Sequence, residues 1–243
     1  MWWNNLFENM SSTSFFNFSF LPAYAGYYLQ GLAYTLLLAV VSVALAVIPA
    51  LLLALMRLSK NKFIKSISGA YIALFRSTPL LVQLSIIYFG LFGVISIPRV
   101  TILGFVDLSR FIPGVVALAL NSSAYVAEIF RAGILAVDKG QTEAARSLGL
   151  TQGQNMRFIV LPQAVKNILP AIGNEFVTII KESAITYTSG VQDLMAAVKA
   201  AQAGTFLVLE PLLVVAVLYF CLTFPTSKVI AYFERRMSRG DKR

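Results

Sequence analysis

Residues Glu143 to Pro162 read EAARSLGLTQGQNMRFIVLP, a soluble-looking stretch between strongly apolar segments. Asp138 and Thr151 each precede a glutamine by three residues, a spacing typical of helix N-caps with a capping box. Gly149 stands where the first helix must end in a left-handed turn. Pro162 is expected to close the second helix, because the residue before a proline disfavours α geometry. The stretch therefore predicts two short helices crossed over a tight turn.

Small residues in the first of these helices predict a docking surface. Ala144 and Ala145 are expected to offer a flat face, beside the charge of Glu143, for close packing of a partner. The alternative is a helical hairpin with no partner. We favour docking, because a membrane protein has little use for a protruding small-residue, charge-bearing hairpin that contacts nothing.

Composition places the chain in a membrane. Hydrophobic residues make up 58% of its 243 residues and the mean hydropathy is +0.74, whereas about half the residues of a soluble domain are apolar. Histidine is absent, which excludes histidine-based catalytic and metal-binding designs. The single Cys221 lies in an apolar run and can form no internal disulfide. We therefore expect neither a catalytic residue nor a metal site.

The N-terminal residues 1–28 are rich in aromatic side chains. Their only charge is Glu8, and they lack the basic start of a signal peptide. Aromatic rings at this density are typical of the headgroup region, where Trp2 and Trp3 would anchor. We predict an extracytoplasmic or interfacial segment.

Apolar stretches predict five membrane-spanning helices, since a span needs roughly 20 apolar residues. The clearest is uncharged and contains Pro49, and the least apolar is the fourth, which carries Asn174, Glu175 and Lys181. The fold class is thus an all-α integral membrane protein with one transmembrane domain at 29–236 and a basic tail at 237–243. The predicted spans are 29–56, 67–95, 113–137, 164–183 and 206–233, with the hairpin at 139–162.

Basic residues indicate the orientation of these spans. Lysine and arginine cluster after the first span, in the hairpin and in the tail, whereas the other loops carry few charges of mixed sign. Short cytoplasmic loops are enriched in such residues. The N-terminus is therefore predicted outside and the C-terminus and hairpin in the cytoplasm.

Two of the predicted spans carry polar residues along one helix face. Ionisable groups in a bilayer normally face a bundle interior or a water-filled cavity, so the two stripes predict a hydrophilic passage, with Arg76, Thr78 and Gln83 as a third wall. The stripes are Asn121, Tyr125, Glu128 and Ala132 on the third span and Asn167, Ala171, Asn174, Thr178 and Lys181 on the fourth.

Simpler roles remain open for these residues. Glu128 and Arg131 stand three residues apart, so they could pair with each other and serve packing alone. Asn121 and Asn174 could equally form interhelical hydrogen bonds. For Arg76 a structural or gating role near the cytoplasmic boundary is favoured over contact with a substrate, and we group Gln83, Arg131 and Lys181 with it.

The spacing in the hairpin resembles the coupling loop of ABC importer permeases. Its layout is Glu143-Ala144-Ala145, three residues, Gly149, nine residues, Ile159, one residue, then Leu161-Pro162. Other segments are similar to those of the polar amino acid branch, which transports histidine, glutamate, glutamine or arginine, and the resemblance covers about residues 31–236. One departure is the run from Glu182 to Ile185. The similar positions are 75–83, 121–128, 131–134, 139–141, 161–164, 173–174, Lys181 and 190–194.

The resemblance implies a multi-pass subunit of a prokaryotic cytoplasmic membrane complex. Its partners would be a second permease, identical or sister, a cytoplasmic ATPase dimer and an extracytoplasmic amino-acid-binding protein, with no nucleic acid. ATP and Mg would be bound by the ATPase, so this chain would need no cofactor and would be no enzyme. The coupling residues would be Glu143, Ala144, Ala145, Gly149, Leu161 and Pro162, and the substrate passage Asn121, Tyr125, Glu128, Asn174 and Thr178.

Two other functions are possible for an integral membrane protein. A membrane-embedded enzyme would need a nucleophile with a base, or a metal cluster, and no such constellation stands out in the sequence. A channel or secretion-complex subunit would need no ATPase, and co-purification with a nucleotide-binding subunit would distinguish it.

Overall fold

The computed structural model describes residues 16–238. The predictions for Trp2, Trp3 and the end of the basic tail therefore lie outside the described residues. Within them the chain is almost wholly helical. The α-helices are α1 (Leu21–Leu58), α2 (Lys62–Ser77), α3 (Leu80–Ser85), α4 (Phe92–Val94), α5 (Leu108–Leu135), α6 (Lys139–Ser147), α7 (Gln152–Asn155), α8 (Leu161–Glu182), α9 (Leu194–Thr205) and α10 (Leu209–Ser238).

The first helix is longer than predicted. It runs for 38 residues with Pro22 in its first turn and Pro49 inside it. It packs along α5 and also contacts α2, α8 and α9. Ala39, Ala46 and Ala50 are fully buried on its inner side, and small residues of this kind let helix backbones approach closely in a membrane.

The central helix of the bundle is α5. It begins at Leu108, earlier than the predicted 113, because Asp107 caps it by accepting a hydrogen bond from the Ser109 backbone N–H at 2.9 Å. It packs against α1, α2, α3 and α8, and most of its membrane-length window is buried, whereas α10 is almost entirely exposed. α5 therefore lies in the interior and α10 at the perimeter.

Three described helices, α1, α5 and α10, are long and apolar enough to cross a membrane, and a fourth crossing arises if a bent pair counts as one. Helix α8, predicted as a span from 164–183, is not among them. It has 22 residues but carries Lys166, Glu175, Lys181 and Glu182. Burial of part of this polar surface against α1, α5 and α10 explains how such a helix can belong to the bundle.

The predicted second span is not one helix. It divides at Pro79 into α2 and a second arm, and the two arms meet at 105°. The second arm runs through α3, a π-helical turn at Ile86–Leu91 and α4. Pro79 accounts for the break, because Thr78 before it adopts an extended conformation.

Two short features at the opposite end of the bundle from the hairpin were not predicted. A small antiparallel ladder pairs Thr101–Ile102 with Val106–Asp107, closed by Leu103 and Gly104 with φ of 54° and 77°. After α8, a 3₁₀ segment Ser183–Ser189 ends at Gly190 with φ of 78°. This segment contains most of the run where the sequence departs from the permease pattern. Side-chain hydroxyl groups of the segment stabilise it: Ser183 donates to the Ile180 carbonyl, and Thr186 donates to the Ser183 carbonyl.

Candidate functional site

In the hairpin between α5 and α8, the turn and the capping box at Thr151 form as predicted, whereas Asp138 caps its helix without a capping box. Asp138 Oδ1 accepts from the Gly140 backbone N–H at 2.7 Å, rather than from Gln141. Thr151 and Gln154 form the complete capping box. Gly149 has φ of 82°, a left-handed conformation that glycine adopts without the penalty of a Cβ atom.

The prediction that Pro162 ends the second helix is wrong. The chain stays helical from Gln152 to Glu182 through a π-helical turn at Met156–Val160. In that turn the Leu161 N–H bonds the Met156 carbonyl, five residues back, and Pro162 follows as the second residue of α8. The second arm of the hairpin is therefore continuous with a helix of the bundle.

The hairpin has a buried inner side and an exposed outer side. Asn155 Nδ2 donates to Thr142 Oγ1 at 3.2 Å across its two arms. Ala145 is 4% exposed, so it lies on the buried side of the hairpin, and its coupling role stays a prediction. Glu143 and Ala144 are exposed and form the free surface.

Beside this surface is a cavity of about 360 Å³ between the hairpin and the end of α5. It presents the carboxylate of Glu143 and the bases Lys139 and Arg146 next to apolar side chains. Such a mixture suits a protein partner better than a small apolar ligand. Its lining residues are Ile134, Leu135, Val137, Lys139, Thr142, Glu143, Arg146, Gln152, Asn155, Met156 and Val160.

A second cavity, of about 440 Å³, lies among α1, α2 and α5 and carries charges of both signs. We call it the charged cavity. It contains the predicted residues Arg76, Tyr125 and Glu128. Its lining residues are Arg57, Gly69, Ile72, Ala73, Arg76, Ser77, Tyr125 and Glu128.

Two guanidinium groups occupy fixed positions in the charged cavity. Arg76 lies over the Tyr125 ring, with its Cζ 5.2 Å from the ring centroid, a cation–π geometry. Arg57 lies over Gly69, where an added Cβ atom would come within 3.1 Å of Arg57 Nη1. Glycine at position 69 thus leaves room for the Arg57 side chain between α1 and α2.

The carboxylate of the charged cavity is paired. Arg131 Nε and Nη2 donate to Glu128 Oε2 at 2.9 and 2.7 Å, so the pairing proposed from their spacing is confirmed. Glu128 still lines the cavity and its other oxygen, Oε1, is not part of these bonds. Pairing and access to the cavity are therefore compatible.

Asn121 has a different environment. It is 4% exposed and its Nδ2 donates to Gln83 Oε1 at 2.9 Å. Of the two alternatives for Asn121, the structure therefore shows the interhelical hydrogen bond. Thr78 and Gln83, expected as a third wall, take part in the same contact and line a separate small cavity between α2 and α3.

The polar stripe of the fourth predicted span faces out of the subunit. Asn174 and Lys181 are exposed and Thr178 is half-buried, its hydroxyl donating to the Asn174 carbonyl at 3.1 Å. The structure does not bring them into the charged cavity.

Two charged residues were missed as site residues. Arg57 was counted only as an orientation signal, and nothing in the sequence shows that it turns toward α2. Glu175 stands one residue from the predicted stripe and is buried at 8% exposure, accepting a hydrogen bond from the Ser122 hydroxyl at 2.8 Å. An ionisable residue inside a predicted span was the available signal for Glu175.

Comparison with known proteins agrees with this architecture. The family described as "binding-protein-dependent transport system inner membrane component" matches residues 43–239. The arginine transport system permease protein ArtQ of Bacillus subtilis (strain 168) is 44% identical over 213 residues, covering 88% of this chain and 93% of ArtQ. A B. subtilis relative named "Probable glutamine ABC transporter permease protein GlnM" is 36% identical, covering 88% and 94%.

A solved structure supports the same assignment. The chain is similar to one from a structure entitled "Crystal structure of an amino acid ABC transporter with histidines", with a TM-score of 0.82, 45% identity and coverage of 92% of this chain and 100% of that one. A helical bundle with a protruding hairpin, matched over most of its length in sequence and in structure, settles the family. The chain belongs to the binding-protein-dependent transport system inner membrane components.

Proposed function

We propose that this chain is the permease subunit of a binding-protein-dependent ABC importer that moves a polar or charged L-amino acid into the cytoplasm. The energy comes from ATP hydrolysis on a separate subunit. The main support is the family membership together with relatives named for arginine and glutamine transport. A channel or secretion-complex subunit without an ATPase finds no support among these relatives.

The proposed topology has five spans, with the N-terminus outside and the C-terminus and hairpin in the cytoplasm of a prokaryote. α1, α5 and α10 supply three, the bent pair α2–α4 one, and α8 the fifth. Basic residues after α1 and in the hairpin support this orientation. A multi-pass chain so placed presents its hairpin to cytoplasmic proteins.

The hairpin is the proposed coupling device. Because α7, the π-helical turn and α8 are one continuous helical segment, a displacement of the hairpin moves α8, which packs on α5 and α10. Glu143 and Ala144 form the exposed contact with the ATPase, Gly149 fixes the turn, and Leu161 and Pro162 join the hairpin to the bundle. ATP binding on the ATPase dimer would thus switch the bundle between an inward-facing and an outward-facing state.

The charged cavity is the proposed amino acid passage. A free amino acid carries a carboxylate and an ammonium group, and the cavity offers guanidinium groups from Arg57 and Arg76 and a carboxylate from Glu128. Charge-assisted hydrogen bonds to the carboxylate and to the ammonium group of the substrate can therefore orient it. Tyr125 supplies the aromatic wall beneath Arg76.

A second permease subunit, identical or sister, would complete the passage. The exposed stripe of Asn174, Thr178 and Lys181 on α8 supports this, since polar side chains at membrane depth need an aqueous or protein neighbour. An extracytoplasmic binding protein would deliver the amino acid. ATP and Mg would be held by the ATPase.

The test is reconstitution of the complex with its ATPase and binding protein. The variant Glu143→Lys should abolish ATP hydrolysis that is stimulated by loaded binding protein, while membrane insertion stays normal. Glu210→Lys makes the same charge change in the first turn of α10, where Glu210 accepts from the Asn17 N–H, and should leave stimulation intact. Full stimulation in Glu143→Lys would contradict the assignment of the hairpin.

A further inference from the structure

The break between α2 and α3 creates a hydrogen-bonding problem inside the bundle. A helix end leaves its last four carbonyls without intrahelical partners, and a bilayer offers no water to replace them. Here α2 ends at Ser77 and the chain turns by 105° at Pro79. The carbonyls of Leu74 and Phe75, in the last turn of α2, accept hydrogen bonds from side chains instead.

The side chains of Gln83 on α3 and of Thr78 supply those partners. Gln83 Nε2 has three acceptors that share its two N–H groups: the carbonyls of Phe75 and Thr78 at 2.8 and 3.0 Å and Thr78 Oγ1 at 2.8 Å. Thr78 Oγ1 in turn donates to the Leu74 carbonyl at 2.8 Å. Asn121 on α5 donates through Nδ2 to Gln83 Oε1 at 2.9 Å. We call Gln83, Asn121 and Thr78 the amide bracket.

The two amides of the bracket are buried and hydrogen-bonded to each other. Gln83 and Asn121 are 7% and 4% exposed. The N–H groups of Gln83 donate at the end of α2, and the Gln83 side-chain oxygen accepts from Asn121. A buried donor or acceptor without a partner is costly. The hydrogen bonds of the amide bracket therefore fix both the angle of the bend at Pro79 and the distance between this bend and α5. A free bend at Pro79 would lose these bonds.

The amide bracket lies directly beside the charged cavity. Its acceptor Phe75 immediately precedes Arg76, and Asn121 lies one turn before Tyr125 on the same face of α5. Arg76 stacks on Tyr125 at 5.2 Å. One turn earlier, the Tyr71 hydroxyl donates to the Leu120 carbonyl at 2.9 Å. The final turns of α2 are therefore tied to α5 on both sides of Arg76.

We propose that Gln83 and Asn121 are positioning residues for transport, which hold the break of the second span so that the Arg76 guanidinium meets the substrate carboxylate. They touch the substrate at no point, and they act through Arg76. This inference rests on the proposed function, because it takes the charged cavity to be the amino acid passage. Loosening the amide bracket displaces Arg76 and weakens substrate binding more than it weakens the fold.

An exchange of the two amides tests this inference. Gln83→Asn and Asn121→Gln each change the reach of one side chain by a methylene, whereas the double variant keeps the combined reach. In the reconstituted complex, each single variant should raise the KM for amino acid uptake on the order of tenfold, the equivalent of one lost buried hydrogen bond. The double variant should restore KM to within about threefold of the parent.

A second readout reports geometry without transport. In a Cys221→Ala background, Ser77→Cys places a single thiol in the lining of the charged cavity. Its rate of reaction with a water-soluble thiol reagent should change in both single variants and return in the double variant. Thr78→Val, which removes only the hydroxyl of the amide bracket, serves if a single amide variant fails to assemble, and should also change both KM and the reaction rate. Gln30→Asn, on an exposed face of α1, should change neither.

The outcomes separate this inference from the proposed function. If Arg76→Gln leaves KM unchanged, the passage assignment fails. If Arg76→Gln raises KM while both bracket variants keep the parental KM and thiol reactivity, the positioning inference alone is overturned. A double variant no better than the single variants also overturns it, because reciprocity of the two amides is its central requirement.

Discussion

Arg131 donates two hydrogen bonds, at 2.9 and 2.7 Å, to a single carboxylate oxygen of Glu128. The pair is partly exposed, with 33% and 20% of the two side chains accessible. Partly exposed ion pairs three residues apart contribute about 0–1 kcal/mol to stability. The pair is therefore a weak contributor to the fold, and the free oxygen of Glu128 is better explained by the charged cavity that it lines.

Glu128→Gln should impair transport much more than stability. The neutral amide keeps the shape but loses the charge that would take the substrate ammonium group. We expect the KM for uptake to rise on the order of tenfold or more, since charged hydrogen bonds contribute about 1.5–3 kcal/mol, while thermal unfolding in detergent changes little. An unchanged KM would remove Glu128 from the passage.

Gly149→Ala should weaken coupling through the backbone alone. No atom lies within 4 Å of an added Cβ at this position, so the cost is that of a left-handed alanine, about 1–2 kcal/mol. The expected result is a lower ratio of amino acid imported to ATP hydrolysed. The measurement is uptake and phosphate release in the same proteoliposomes.

Gly153→Ala is the matched control for the turn. An added Cβ there also meets nothing within 4 Å, but residue 153 is helical within α7. Alanine in a helix is more favourable than glycine by about 1 kcal/mol. Gly153→Ala should therefore keep the parental coupling ratio, and equal losses in the two variants would contradict a specific role for the left-handed turn.

Gly173→Ala should disturb the contact between α8 and the perimeter helix α10. An added Cβ at 173 would come within 2.8 Å of Ile230 Cγ1, and overpacking of this kind costs about 1–3 kcal/mol. Thermal unfolding should shift to lower temperature in Gly173→Ala and recover in Gly173→Ala with Ile230→Ala. No recovery in the double variant would show that α8 and α10 do not meet there.

Asp193 should give the fold a pH dependence. It caps α9, in the chain segment that joins α8 to α10, by accepting a hydrogen bond from the Ala196 N–H at 3.0 Å. Burial raises its pKa to about 7 from an ordinary value of 3.8. Since the folded state then holds a proton that the unfolded state releases, stability falls as pH rises from about 4 to about 7. The melting temperature in detergent should be higher at pH 5 than at pH 8.

Asp193→Asn keeps a cap acceptor and should remove that difference. Asp107→Asn is the control, because the hydroxyl of Ser109 donates to Asp107 and lowers the pKa of this carboxyl below its ordinary 3.8. Its titration falls outside the interval from pH 5 to 8. A melting temperature that is equally pH-dependent in parent and Asp193→Asn would refute the assignment to Asp193.

The features that the sequence predicted best are those with a direct physical cause in the residues themselves. The uncharged run of α1 predicted a helix of membrane length, and Gly149 predicted a left-handed turn. Pro162 misled because a proline in the first turn of a helix looks the same in sequence as one that ends a helix. The π-helical turn before it carries no comparable sequence signal.

The site was harder to predict because several side chains are defined by a neighbouring helix. Asn121 follows the stripe of Tyr125 and Glu128, yet the bend at Pro79 brings Gln83 onto it and removes it from the cavity. A proline predicts a break but gives neither its 105° angle nor its direction. Arg57 joined the cavity for the same reason: only the tertiary contact with Gly69 places it there.

The proposed function requires the exposed hairpin to contact a cytoplasmic ATPase. The most direct measurement uses Ala144→Cys in a Cys221→Ala background, with a membrane-impermeant thiol reagent applied to right-side-out and to inverted vesicles. We expect labelling only in inverted vesicles, and protection of that thiol when the ATPase is bound. Labelling from the outside, or labelling that the ATPase does not reduce, would contradict it.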